Sequence, residues 1–327
     1  MSLESEPGIT VCVTAVESKP ALRRKLLLSL VGALAVTCVL GFVLAGRRQQ
    51  FVAALGSVPI SLVGLAAALQ VVALLARSEA WLVSVRAAGG LVSRRLLFRA
   101  AGVGYLASVV NGSVGMAARI ASLRRVAPES SPRVPALLAA EVPIIAVEVA
   151  LAAIFSFTLV SPLGVSWWIP AIAVGLMAAA VFGLRRFSEH HRMGLWVGLA
   201  VMRKKGGGRL IAFTLMAVCA QVARNWLMLH AIGENVSIFD AMALLIAMFT
   251  LGQLPIGPSI GPAAAVLILG PHGVATSAAA GVLLAVTGMI GSIGYATWAL
   301  TDRLAMGRVA HSSELLAATP AIPEPSS

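Results

Sequence analysis

Charge is what this sequence is short of. Only 12% of its 327 residues are charged, while 59% are hydrophobic and the mean hydropathy is +0.92. A soluble domain of this size needs about twice that charged share, so this composition excludes one. Acidic residues are the scarcer kind, 13 against 25 Lys and Arg, for a formal charge of +12. Cysteine is sparse too: Cys12, Cys38 and Cys219 form no CxxC and no even framework, which excludes a disulfide scaffold and a cysteine metal site. The five histidines, His190, His191, His230, His272 and His311, lack the HExxH spacing of a zinc enzyme. A P-loop, a dinucleotide fingerprint and a Ser-His-Asp set are all missing, so no cofactor is expected, ATP-driven work is not expected, and an enzyme is not the first expectation.

What fills the chain is apolar runs, at about 26–45, 51–76, 96–118, 135–160, 168–184, 210–232, 238–254 and 263–299. Runs near 20 residues cross a hydrocarbon core of ~30 Å, because an α-helix rises ~1.5 Å per residue. The first run ends in Leu44-Ala45-Gly46-Arg47, a poor cleavage site, so it reads as a retained helix rather than a signal peptide. The basic stretch 185–209 contains the short apolar segment Gly194–Met202, which reads as an interfacial helix. Residues 1–18 and 306–327 read as disordered polar tails flanking one membrane domain over 19–305. The basic residues sit in short loops beside the apolar runs, which sets topology and attracts anionic headgroups; nucleic acid is not the expected partner.

A short motif occurs twice. Asn111-Gly112-Ser113-Val114-Gly115-Met116-Ala117-Ala118 and Gly257-Pro258-Ser259-Ile260-Gly261-Pro262-Ala263-Ala264 align without a gap, 146 positions apart. Each copy interrupts an apolar stretch, and the prolines 255, 258 and 262 cannot sit in an unbroken lipid-facing helix without freeing backbone groups. Matching breaks in two halves of a membrane protein point to a transport site. The positive-inside rule agrees. If 96–118 and 238–270 turn back at the motifs, six runs cross, and of the 25 Lys and Arg only Arg47 and Arg48 lie outside and Arg224 within the membrane. The fold expected is therefore an all-α polytopic bundle of two inverted repeats, about 26–160 and 168–301. Each repeat has three spanning helices and a re-entrant broken helix, and both termini are cytoplasmic. Ala76-Arg77 and Ala223-Arg224, each followed by a Trp (Trp81, Trp226), support the repeat.

The ionisable groups inside the runs are the candidate site. Glu141 and Glu148, seven apart, share a helix face. Arg224 and Asn225 lie in 210–232, Gln253 precedes the second break, and Asn111 and Arg119 bracket the first. An ion at mid-bilayer costs at least ~2.5–3.5 kcal/mol, so such groups face a cavity or a partner. The site read from the sequence is Arg224, Glu148, Asn111, Ser113, Gly115, Arg119, Glu141, Asn225, Gln253, Pro258, Ser259 and Gly261. The arginines suit phosphate, half-helix N-termini after Gly115 and Gly261 would add backbone donors, and the glutamates would hold a cationic group or balance the arginines. A Glu148–Arg224 ion pair that merely fixes packing is the competing reading. Glu141 and Arg119 are also placed to snorkel toward the interface, and Arg77, Glu79 and Trp81 read as interface anchors at a helix end. Gly288, Gly291 and Gly294 read as a packing or dimerisation seam.

These features together resemble the lysylphosphatidylglycerol synthase membrane region, also described as a flippase-like domain. The resemblance spans most of 26–305. It rests on Arg77 to Trp81, Gly115 to Arg119 with its basic loop, Glu141, and Pro255-Ile256-Gly257-Pro258-Ser259-Ile260-Gly261. It implies movement of a phospholipid or polyprenyl-linked lipid between the leaflets of a bacterial plasma membrane. Where the family often carries an acidic residue after the late glycine segment, Pro262-Ala263-Ala264 stands here, and Met116-Ala117-Ala118 stands where another often precedes the first arginine. A soluble aminoacyltransferase segment is not found, so a synthase is not expected. The alternative is a non-catalytic membrane partner of a lipid- or glycan-modifying enzyme.

Overall fold

A computed structural model describes residues 44–109, 112–190, 206–233, 236–252, 260–270 and 273–318, with 199, 201, 202 and scattered positions between 31 and 42. The chain is an all-α polytopic membrane bundle. The described residues contain no strand, and five of their helices are long and apolar enough to cross a membrane: Ile60–Ala87, Val134–Leu163, Trp168–Phe187, Gly207–Ala231 and Val274–Asp302.

In chain order the helices are α1 (Arg48–Gly56), α2 (Ile60–Ala87), α3 (Arg94–Ser108), α4 (Gly112–Val126), α5 (Val134–Phe155) and α6 (Val160–Leu163), joined to α5 by a 3-10 turn at Ser156–Leu159. Then come α7 (Trp168–His190), α8 (Gly207–Ala231), α9 (Ile238–Leu251), α10 (Ile260–Leu269) and α11 (Val274–Ala318). The run 51–76, expected as one crossing, is cut at Pro59. Proline has no N–H to continue a helix and forces the preceding residue out of the helical region, so α1 ends at Gly56 and α2 begins afresh. That second helix then runs to Ala87, past the expected end at 76. The run expected at 26–45 falls largely outside the described residues, and its described positions are helical and exposed. α11 continues to Ala318, so residues 306–318 are helical and not the expected disordered tail. Most of the expected interfacial segment 194–202 is also outside the described residues; Leu199 and Val201 are fully buried in a 3-10 turn.

Both interrupted runs are hairpins of short helices. At ~1.5 Å per residue, α3 and α4 (15 residues each) are about 22 Å long and α10 (10 residues) about 15 Å, too short to cross ~30 Å. The base of the first hairpin is closed by the backbone: Leu91 N–H, before α3, donates to Ser130 O, after α4, at 2.9 Å. The arms cross on glycine, because a Cβ on Gly115 would collide with the backbone of Gly104 and with Ser108. In the second hairpin α9 opens with a Ser237–Asp240 capping box. There Gly261 meets the backbone of Gly281 on α11.

The packing repeats as the element order does. α2 and α8 form the central contact. α3 packs on α4 as α9 does on α10, and α3 packs on α11 as α9 does on α5. The two arginines keep step, since Arg77 and Arg224 each lie seventeen residues beyond the first residue of α2 and α8. One core gathers on α2, α3 and α5 around Trp81, Leu97 and Leu137, the other on α8, α9 and α10 around Met228, Leu244 and Ile268.

Candidate functional site

A cavity of about 410 Å³ lies where the two hairpins meet. Ser108 and Val109 bring the first break to its wall, and Ile260 and Gly261 bring the start of α10. Its polar groups come from the central helices: Gln70 and Arg77 on α2, Gln221 and Arg224 on α8, Glu148 on α5, Ser292 on α11. The remaining lining is apolar, including Leu151, Phe155 and Ile246.

Arg224 is the unusual member. It is 4% exposed, Nη1 donates to Gln70 Oε1, and Nε has no hydrogen-bond partner. Gln221 Nε2 donates to the same Gln70 oxygen at 3.1 Å. Among the described residues no carboxylate pairs with Arg224. The competing expectation of a Glu148–Arg224 pair is therefore overturned. Glu148 is held by Arg77, whose Nε (2.8 Å) and Nη2 both donate to Oε1. The cause is register: Glu148 faces α2 from α5, whereas the residue of α11 that comes up to Arg224 is Gly288. A Cβ placed on Gly288 would stand 3.5 Å from Arg224 Nη1. Glu148 and Gly288 each lie fourteen residues beyond the first residue of their helices.

Arg77 and Glu148 also line a second cavity, of about 200 Å³, with Tyr105, Gly115, Arg119 and Glu141. Here Arg119 pairs with Glu141 and its guanidinium lies 4.3 Å from the ring centre of Trp81. Neither group snorkels, contrary to the interfacial expectation. The Arg119 and Glu141 side chains are only 13% and 6% exposed, because the α3–α4 hairpin folds back over α5 and covers them. Arg77, Glu79 and Trp81 are likewise not anchors at a helix end. α2 continues beyond them, Trp81 is fully buried, and Glu79 pairs with Arg94 of α3.

The sequence-predicted residues therefore separate. Arg224, Glu148 and Gly261 meet at the larger cavity; Gly115, Arg119, Glu141 and Glu148 meet at the smaller one. Gly115 lies inside α4, not at its start, so its role is close packing rather than donation from a helix N-terminus. Asn225 is fully buried with neither side-chain atom partnered, and it lines neither cavity. Asn111, Gln253, Pro258, Ser259 and the side chain of Ser113 lie outside the described residues. Of the glycine seam, Gly291 presses on Gln70 and Gly288 opens the cavity beside Arg224, while a Cβ at Gly294 would meet nothing.

Sequence reasoning missed Gln70, Gln221 and the true role of Arg77. The signal was present, because Gln70 lies seven residues before Arg77 and Gln221 three before Arg224, spacings that share a helix face. It also missed the clasp made by the chain's two tyrosines. Tyr105 Oη donates to Leu74 O at 3.1 Å, and Ser78 Oγ donates to the same carbonyl at 2.9 Å. Tyr295 Oη, 3.0 Å from Ser78 Oγ, is left as its donor, so α2, α3 and α11 are tied at one point.

No protein-family model matches the chain, and no curated protein or solved structure matches it.

Proposed function

We propose that the larger cavity binds the anionic headgroup of a membrane lipid and that the protein moves that lipid between leaflets. The observation that carries this reading is Arg224. A buried guanidinium with one neutral partner is costly in a low-dielectric setting, and the cavity beside it has room for an anion. Arginine presents a planar fork that fits two oxygens of a phosphate. Arg77 reaches the same cavity with its side chain 41% exposed, Gln221 adds an amide, and the N-terminus of α10 adds its positive dipole end. The apolar remainder of the wall suits acyl chains.

The repeated packing supports two inverted repeats, with the hairpins entering from opposite faces and meeting at the headgroup. In that arrangement rocking one half against the other exposes Arg224 alternately to each leaflet. The bulk of the work is charge stabilisation: the headgroup crosses as an ion pair with Arg224 rather than as a bare phosphate. This is also the substrate class of the flippase-like family that the sequence resembles.

The test is leaflet exchange in liposomes that carry fluorescent anionic, zwitterionic or aminoacylated lipid. Exchange of an anionic lipid that is lost in Arg224→Gln, with the variant folded, is the expected result. No exchange of any lipid by the folded wild type would overturn the transport reading and favour a membrane partner of another enzyme.

A further inference from the structure

The smaller cavity is unexplained by a single headgroup site. It carries four charged groups, Arg77, Arg119, Glu141 and Glu148, it is lined by α2, α5 and both arms of the first hairpin, and it shares with the larger cavity only Arg77, Ser108 and Glu148. Three guanidiniums are thus strung along one path: Arg224 in the larger cavity, Arg77 in both, Arg119 in the smaller. Along α5 the two carboxylates follow in step, with Glu148 at the partition and Glu141 about 10 Å away, two helical turns deeper into the smaller cavity.

We propose that the smaller cavity is a second oxyanion site for a phosphate ester, with Arg119 as its ligand and Glu141 as the counter-ion displaced. The Arg77–Glu148 pair is the partition between this site and the first. The inference rests on the lipid-headgroup reading of Arg224. Three observations support it. First, the Arg119–Glu141 pair is under-satisfied. Nη2 and Oε1 are in contact, yet Oε1 makes no hydrogen bond of good geometry, and the buried Nε has no partner. A guanidinium with a spare donor on its edge can accept a tetrahedral oxyanion. Second, the Arg119 guanidinium carbon lies 4.3 Å from the ring centre of Trp81, a cation–π contact that holds the group without using any of its N–H donors. Third, the space suffices: about 200 Å³ far exceeds the ~10–15 Å³ that one water needs.

Passage from one site to the other has a defined exchange. Both Arg77 donors rest on a single oxygen of Glu148. An oxyanion leaving Arg224 takes the place of that oxygen on Arg77, and Glu148 swings away while the anion moves on to Arg119. No bond is made or broken: Arg77 and Arg119 each exchange a glutamate for the ligand, while Arg224, which has no carboxylate of its own among the described residues, returns to its resting state once the anion has left.

The experiment is a binding titration of the full chain in maltoside micelles, which contain no phosphate, with inorganic phosphate in one arm and dioctanoyl phosphatidylglycerol in the other. Wild type should bind two equivalents. Arg224→Gln and Arg119→Gln should each bind one, Arg119→Lys should keep two, and Ile145→Trp, which fills the smaller cavity without touching its charge, should bind one. Binding in both arms assigns the site to the phosphate group itself; binding in the lipid arm alone makes the glycerol ester part of the recognition. One equivalent in wild type, or two in Arg119→Gln or Ile145→Trp, would overturn the second site. Two equivalents in Arg224→Gln would instead overturn the headgroup reading beneath it, so the two failures are told apart.

Discussion

Gly288 is the position at which the charge of the larger cavity can be tested without touching Arg224. A Cβ built there stands 3.5 Å from Arg224 Nη1, and beyond the helix's own neighbouring backbone it meets nothing else within 4 Å. Gly288→Asp therefore fits, and its carboxylate, one bond further out, reaches pairing distance. Two unit charges ~4 Å apart at an effective dielectric of ~20 attract by about 4 kcal/mol. An incoming oxyanion must displace that attraction, so binding at Arg224 should weaken by up to about a thousandfold at ~1.4 kcal/mol per decade. Gly288→Ala is the control: it adds the same Cβ, gains at most ~1 kcal/mol of helix propensity and leaves the charge open. The assay is the phosphate titration together with leaflet exchange of an anionic lipid. Gly288→Asp should lose the first site and the exchange, Gly288→Ala should keep both, and neither should lower the melting temperature, because the new carboxylate pairs a buried cation. Exchange by Gly288→Asp at the wild-type rate would refute the claim that an uncompensated Arg224 does the work.

Other consequences are separable. Gly281→Ala should lower the melting temperature clearly, because its Cβ meets the backbone of Gly261 and Pro262, whereas Gly294→Ala should leave it unchanged. Equal effects would mean that the α10–α11 crossing is looser than described. Tyr295→Phe removes the donor to Ser78 and should cost about 1 kcal/mol in denaturant unfolding, with binding intact; a silent change would break the clasp argument. In a chain cleared of its cysteines, Leu91→Cys and Ser130→Cys should both react with an impermeant maleimide from the same side of the membrane, since these residues share a backbone hydrogen bond. Labelling from opposite sides would sink the re-entrant hairpin.

Composition and run length were enough to read a polytopic helical bundle, because membrane helices declare themselves through hydropathy alone. The second break was legible for a related reason, since prolines at 255, 258 and 262 are hard to place in an unbroken helix, and the first was legible only through its match to the second. Pro59 carried the same signal and was absorbed into an apolar run. Pairing was what the sequence could not express. Glu148 could be matched with Arg224 or Arg77 on composition, and only the packing of α2 against α5 decides for Arg77. Burial was equally hidden. Trp81 and Arg119 look like interface residues until the hairpin is folded over them, because depth in a bundle follows from which neighbour covers a turn, not from the residue itself.

Equivalent turns in the two halves show why the charges are arranged unequally. Arg77 and Arg224 occupy the same place in their helices, and so do Glu148 and Gly288. Had the second half kept a carboxylate, both arginines would be neutralised and the cavity between the hairpins would hold only satisfied pairs, as a structural core does. With glycine at 288 the cavity keeps one net positive charge and gains the volume of the missing side chain. Charge and space are thus released by the same residue and in the same place. Losing stability to an unpaired buried ion is hard to rationalise for a scaffold, since a neutral or paired residue at 224 would be cheaper. It is rational for a site whose counter-ion arrives from outside, binds in the space left for it, and leaves again.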